Sequence, residues 1–218
     1  MITQNNMIQD PKVEKVLERL HSYGEQQEAN YNRPIDFKNL NWGPSQFTDM
    51  LLSVTAAQGA LLYILARSIQ AKTIVEFGTS HGVSSIYLAA ALRDNGQGGK
   101  LIGTEFVAAK VKEAQKNLEE VGLSSFVEIR EGDARETLKT LPQGIDLCFM
   151  DGFPPFLLEV FKLIAPKLRR GAIVISDDIP TSRELIADYF AYLRDPKNGF
   201  RSVYLPLGDG TEISVKDR

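Results

Sequence analysis

From Lys72 onward, segments with the alternating apolar pattern of strands take turns with segments that have the 3.6-residue spacing of helices. Strand-like runs are Thr73–Phe77, Lys100–Glu105, Phe126–Arg130, Ile145–Met150 and Ala172–Ser176; helix-like runs between them are Val83–Arg93, Ala108–Val121, Arg135–Leu141 and Phe156–Leu168. A chain that alternates in this way has few options, because each helix must cross back over the sheet before the next strand begins. The expectation is an α/β fold with a doubly wound, mostly parallel sheet and helices on both faces. A further helix is expected over Thr181–Leu193, where Thr181-x-x-Glu184 fits a capping box. Two closing strands, Arg201–Leu205 and Glu212–Val215, joined across Gly208-Asp-Gly210, add an antiparallel strand.

The 218 residues suit one domain with its own core, expected to divide into an N-terminal helical segment (1–71) and the sheet-bearing core (72–218). In the first part, Val13, Val16, Leu17 and Leu20 mark a peripheral or interface helix, and Met50 to Ala66 reads as one or two helices packed on the sheet. That second run falls short of a bilayer span. An N-terminus without a basic start and apolar stretch is no secretory signal, so a cytoplasmic location is expected. The net charge of −3 offers no basic excess for a phosphate backbone, which argues against nucleic acid as a partner; a membrane partner is not expected either. The single cysteine, Cys148, lies in an apolar strand and reads as a core residue.

In open α/β sheets ligands bind outside the carboxyl ends of the strands. Those ends are acidic here: Glu76, Glu105, Asp133, Asp151, Asp177 and Asp178. Taken singly, each is a solvated loop charge; at successive strand ends they read together as a ligand site. The turn Glu76-Phe-Gly-Thr-Ser-His-Gly82 lacks both the G-x-G-x-x-G spacing of dinucleotide binders and the G-K-[ST] of a P-loop. A pyrophosphate beside Glu76 and Asp151 would meet like charge. S-adenosylmethionine carries a sulfonium and an ammonium and suits these carboxylates, with Glu105 accepting the ribose hydroxyls and Gly132-Asp133-Ala134 bordering the adenine.

The ordered set Val75-Glu-Phe-Gly-Thr-Ser-His-Gly-Val-Ser-Ser85, Glu105, Gly132-Asp-Ala134, Phe149-Met-Asp151, Ser176-Asp-Asp178 and Pro206-Leu-Gly-Asp-Gly210 resembles the catechol O-methyltransferase-like family of class I O-methyltransferases, over roughly Trp42 to Lys216. The resemblance implies a Rossmann-like sheet with a reversed C-terminal strand, S-adenosylmethionine as methyl donor and a small-molecule hydroxyl as acceptor. It also implies cofactor contacts at Val54, Glu76, Gly78, Ser84, Glu105, Ala134 and Asp151, to which the position of Asp133 adds one more, and frequently a homodimer. Val54 rests on the resemblance alone. An independent reason to expect a homodimer is an apolar N-terminal half larger than the sheet needs for cover.

The chain departs from that family at three places. Asp177-Asp178 stands where an Asp-Asn pair binds metal, Pro154 stands where the family has a lysine as its presumed general base, and the insertion after the Asp-Asn pair is missing. Asp151, Asp177 and Asp178 offer the hard oxygen ligands that Mg²⁺ or Ca²⁺ prefers; the competing reading has the last two finishing a strand and bonding backbone amides. Asp151 and His81 are the candidate catalytic residues, His81 because its ordinary pKa of about 6.5 suits proton transfer, although a turn histidine can equally bond its own backbone. Trp42 reads as an aromatic lid or an anchor for the N-terminal segment, and His21 as a surface helix residue. Two other functions fit the layout: a non-catalytic S-adenosylmethionine-binding partner protein, suggested by the missing lysine, and an NAD-type oxidoreductase, suggested by the shared sheet and Glu105.

Overall fold

A computed structural model describes residues 7–30, 48–177 and 184–218. The elements are α1 (Pro11–Asn30), α2 (Ala56–Ser68), β1 (Thr73–Phe77), α3 (Val83–Asn95), β2 (Lys100–Glu105), α4 (Ala108–Glu120), β3 (Val127–Glu131), α5 (Ala134–Thr137), β4 (Ile145–Met150), α6 (Leu157–Ile164), β5 (Leu168–Asp177), α7 (Ala187–Arg194), β6 (Phe200–Leu205) and β7 (Thr211–Lys216). The described strands form one seven-stranded sheet in the order β3-β2-β1-β4-β5-β7-β6. All neighbours from β3 to β5 run parallel, whereas β7 lies antiparallel to both β5 and β6. Chain order reverses between β1 and β4, which opens the crevice at the carboxyl ends of those two strands.

Side chains alternate across the sheet, and the alternation sorts the core into two layers. Ile74, Leu101, Leu147, Phe149, Ile173 and Ile175 pack with α1, α2, α3 and the end of α4. Val75, Phe77, Ile102, Cys148, Met150 and Val174 pack with α5, α6 and α7. Cys148 is thus the core residue its surroundings suggested. Every residue from Val83 to Leu92 of α3 is buried, because this helix lies between the sheet and the outer pair α1 and α2. α2 starts at a capping box in which Thr55 accepts from Gln58 N and the Gln58 side chain accepts from Thr55 N.

Several expected boundaries move for local reasons. α6 stops at Ile164, since Pro166 turns the next three residues into a single 3₁₀ turn, and β5 then starts at Leu168 instead of Ala172. α5 is one short turn rather than the run to Leu141. Among the described residues α7 begins at Ala187; the capping box at Thr181 lies outside them. Of the two readings of α1, the described residues favour the peripheral helix: its apolar stripe is buried in this chain's own core, and Arg19 ties the helix to α4 through Asn117 and Glu120. His21 is half-buried rather than fully exposed: its Nε2 lies 3.1 Å from the Tyr87 hydroxyl of α3, and burial, against the charge of Glu25, holds its pKa below the ordinary value. Among the described residues, no helix is long and apolar enough to cross a membrane.

Asp146 fastens the amino ends of the three central strands. Its carboxylate accepts from Lys72 N at 2.8 Å, Thr73 N at 2.9 Å and Arg169 Nε at 2.6 Å. Burial pushes this carboxyl up, but Arg169 and the two backbone N–H groups outweigh it and keep it below the usual carboxylate range. A depressed pKa contributes stability above the unfolded value of about 3.9 and loses it as the pH falls through the folded value. Asp146→Ala is therefore expected to cost about 1.5–3 kcal/mol at pH 7, with the gap to wild type closing below about pH 4. Urea unfolding of both proteins across that pH range checks this, and a gap that does not depend on pH would contradict it.

Candidate functional site

The period of two that builds the core also sets the acids on one face. Residues 74 and 76, 101 to 105, 147 to 151 and 173 to 177 each place alternate side chains on the α2–α3 side, so that Glu76, Glu105, Asp151 and Asp177 follow the apolar residues of that layer toward the carboxyl edge. Glu76 is 0% exposed. Its Oε2 accepts from Thr79 Oγ1 at 2.9 Å and Ser85 Oγ at 2.5 Å, while Oε1 has no hydrogen-bond partner among the described residues. Burial drives the Glu76 pKa up against the pull of the Ser84, Ser85 and Thr79 hydroxyls, and the charge of Glu105 adds to the rise. Gly103, paired with Glu76 across β1 and β2, leaves room for this acid: a Cβ there would lie 2.5 Å from Thr79 Oγ1 and 3.2 Å from Glu76 Oε2.

The turn after β1 runs hard against the end of β4. Gly78 has φ +96°, and a Cβ on it would sit 2.4 Å from the Asp151 carbonyl oxygen, so neither the conformation nor the space admits a side chain. Ser80 takes φ +48° and donates its backbone N–H to Glu105 Oε2 at 2.8 Å; Val107 N donates to Oε1 at 2.8 Å. Two amides thus fix the Glu105 carboxylate, and each oxygen keeps a lone pair for a ligand. Ser84 lies in the first turn of α3, buried, beside Glu76.

Asp151 follows β4, and its carboxyl is raised well above the ordinary range by burial first, then by the charges of Asp177 and Glu76, a hydrogen bond with Asp177, and Asp209. Gln58 Nε2 donates to Asp177 Oδ1 at 2.7 Å and to Thr211 Oγ1 at 3.3 Å. His81 is half-buried in the turn; burial and Lys110 hold its pKa below the ordinary value, against Glu113. Its own carbonyl accepts from Asn117 Nδ2 at 3.0 Å.

The remaining candidates stand apart from this cluster or are already engaged. Asp133 caps α5 by accepting from Arg135 N at 2.9 Å, and its other oxygen takes Arg135 Nη2 at 2.6 Å. Ala134 is buried in the second core layer and Val54 in the first. Trp42 and Asp178 lie outside the described residues. Among the described residues, no three His, Cys, Asp or Glu side chains gather as a metal site. Pro154 opens a 3₁₀ turn, Pro154–Phe156, so no amine occupies that position. Gln58, Lys110 and Asp209 were not singled out from the sequence. Gln58 is the third residue of its capping box, and Lys110 looks like one of several helix lysines until its face is known.

Comparison with known proteins follows the same lines. A methyltransferase domain family matches residues 75–179. The catechol O-methyltransferase of Niastella koreensis is 36% identical over 132 residues, which are 59% of this chain and 58% of that protein. The chain therefore spans less than two thirds of that relative's length. A protein named as an O-methyltransferase in Mycobacterium sp. (strain JLS) is 32% identical over 181 residues, covering 76% of this chain and 80% of that one. Among solved structures, the O-methyltransferase TomG from Streptomyces achromogenes, involved in tomaymycin synthesis and solved in complex with SAM, superposes with a TM-score of 0.70 at 25% identity, over 93% of this chain and 99% of that one. Likeness over most of both chains, together with the ordered motifs at the strand ends, shows that this chain belongs to the O-methyltransferase family of class I S-adenosylmethionine-dependent methyltransferases.

Proposed function

We propose that the protein transfers a methyl group from S-adenosylmethionine to the hydroxyl of a small molecule. The observation that carries this reading is the crowding of acids at the strand ends: buried Glu76, whose Oε1 has no hydrogen-bond partner among the described residues, and half-buried Asp151 held against Asp177. Carboxylates with raised pKa values in a crevice are relieved by a cation, and a sulfonium–ammonium ligand supplies one. A pyrophosphate would add to the repulsion, which disfavours the oxidoreductase reading. The SAM complex of the similar TomG enzyme supports the same choice.

When bound, S-adenosylmethionine supplies a methyl carbon on positively charged sulfur that an oxygen lone pair can attack, the S–C electron pair staying with sulfur as a neutral thioether. The chain's own part is alignment and proton handling. Glu105, already oriented by the Ser80 and Val107 amides, is assigned to the ribose hydroxyls; Glu76, Ser84, Gly78 and Asp151 to the methionine half; and Val54, Asp133 and Ala134 to the rim, Val54 and Ala134 through their backbones. His81, kept neutral by burial and by Lys110, accepts the proton that leaves the acceptor's hydroxyl. Asp151 and Asp177, with Asp178, are assigned to a divalent ion such as Mg²⁺ or Ca²⁺, which would lower the hydroxyl's pKa in place of the lysine that Pro154 replaces. What supports the assignment is that Asp151 and Asp177 are two hard oxygen donors held against each other, the third assigned ligand, Asp178, lying outside the described residues. A single methyltransferase domain, assembled as a homodimer and located in the cytoplasm, completes the proposal; Tyr23, Leu52 and Ile64 are the exposed large hydrophobic residues described before β1 that a twin subunit would cover.

Calorimetry should find micromolar binding of both S-adenosylmethionine and S-adenosylhomocysteine. Glu105→Ala should weaken both by about 1.5–3 kcal/mol, because a ribose loses charge-assisted hydrogen bonds. Absence of binding to wild type would reject the cofactor, and unchanged affinity in the variant would remove Glu105 from the site. Treatment with EDTA should abolish methyl transfer to an accepted hydroxyl compound, Mg²⁺ should restore it, and Asp177→Ala should lower it at least tenfold at saturating Mg²⁺. Activity undiminished by chelation and by the substitution would sink the metal assignment and leave proton removal to His81 alone. Light scattering at tens of micromolar should give twice the chain mass of 24.3 kDa, and the single mass would count against the dimer.

A further inference from the structure

In a capping box the third helical residue is a glutamate or a glutamine, and the charge of the glutamate suits the amino end of a helix better. α2 has Gln58 in that position. Its Oε1 does what the box requires, accepting from Thr55 N and Thr55 Oγ1, each at 3.0 Å. The other end of the amide does what a glutamate could not. Nε2 donates to Asp177 Oδ1 at 2.7 Å and to Thr211 Oγ1 at 3.3 Å, and Thr211 Oγ1 donates in turn to the Leu207 carbonyl at 3.1 Å. A glutamate here would set another carboxylate against Asp177. The capping box therefore accounts for one end of this side chain, and Asp177 for the choice of an amide.

The amide has a single orientation open to it. Thr55 N can only donate, so Oε1 faces Thr55 and the NH₂ group faces Asp177 and Thr211. Gln58 is buried, and Leu61, Leu62, Phe149 and Ile175 line the small cavity beside it, where an amide turned the other way would lose its partners among apolar side chains. The β6–β7 turn closes over it: a Cβ on Gly208 would lie 2.3 Å from Oε1 and 2.7 Å from Nε2. Thr211 is also the residue that pairs with Asp177 across β7 and β5, so the start of α2, the end of β5 and the closing turn all meet at this amide. On the assignment of Asp151 and Asp177 to a divalent ion, we infer that Gln58 is a positioning residue: its amide fixes the rotation of the Asp177 carboxylate, so that this ligand is oriented before the ion arrives. Groups that orient a metal's ligands govern its affinity without touching it.

The probe is Mn²⁺, whose dissociation constant for the full chain is measured by electron paramagnetic resonance in wild type, Gln58→Met and Thr55→Val. Both substitutions damage the capping box and should lower the melting temperature; only Gln58→Met also removes the donor on Asp177. Gln58→Met should weaken Mn²⁺ binding about tenfold, the lower end of the loss expected when a group that orients a metal ligand is removed. Thr55→Val should keep the wild-type constant, because the Thr55 N–H still holds Oε1. If Gln58→Met does not fold, Gln58→Ala serves. An unshifted constant in the Gln58 variant, or an equal shift in Thr55→Val, overturns the inference and leaves the ion in place. A wild type that binds S-adenosylmethionine but no Mn²⁺ overturns the ion and the inference together and leaves the cofactor assignment intact.

Discussion

The Glu76 carboxylate, sealed in the middle of the sheet, is the constraint around which the crevice is arranged. An acid in the central strand must be solvated by the protein itself, and the residues that do so come from the turn and the first turn of α3. Thr79 and Ser85 hold the turn down onto β1, Gly103 clears the space, and the same turn delivers the Ser80 amide to Glu105. The hydrogen bonds that accommodate one acid therefore aim the next. With Gly78 pressed against Asp151, the carboxyl ends of β2, β1 and β4 become one rigid unit rather than three loops.

Much of this was legible in the residues, because period-two and period-3.6 patterns are enforced by burial. The five parallel strands, the reversed C-terminal pair and Cys148 in the core all followed from such patterns. What the patterns could not supply was which partner covers which face. The stripe Val13, Val16, Leu17 and Leu20 is the same whether it meets another subunit or α3, and only the packing shows that it meets α3 and α4. The half-burial of His21 against Tyr87 went unseen for that reason. Boundaries shifted where a proline or a short turn decided the matter, as at Pro166 and in α5.

The site was legible to the extent that strand ends are predictable. Glu76, Glu105, Asp151 and Asp177 gather because they share strand parity, a property that can be counted in the sequence. Asp133 is adjacent in sequence terms but spends its oxygens on a helix cap and on Arg135. Lys110 escaped notice because helix α4 has several lysines, and only its alignment with Ala114 and Asn117 distinguishes the buried one. The signal was present: a lysine in register with a small residue and an amide on a helix that follows a strand ending in glutamate.

Gly103 has a wider implication. A strand interior is the one place in such a sheet where a missing side chain looks like a defect, yet here the void is filled from the neighbouring strand by Glu76 and from the turn by Thr79. Positions 76, 79 and 103 are consequently constrained together: a side chain at 103 would need a smaller residue at 79 or the loss of the acid at 76, so no one of the three can be redesigned without the other two.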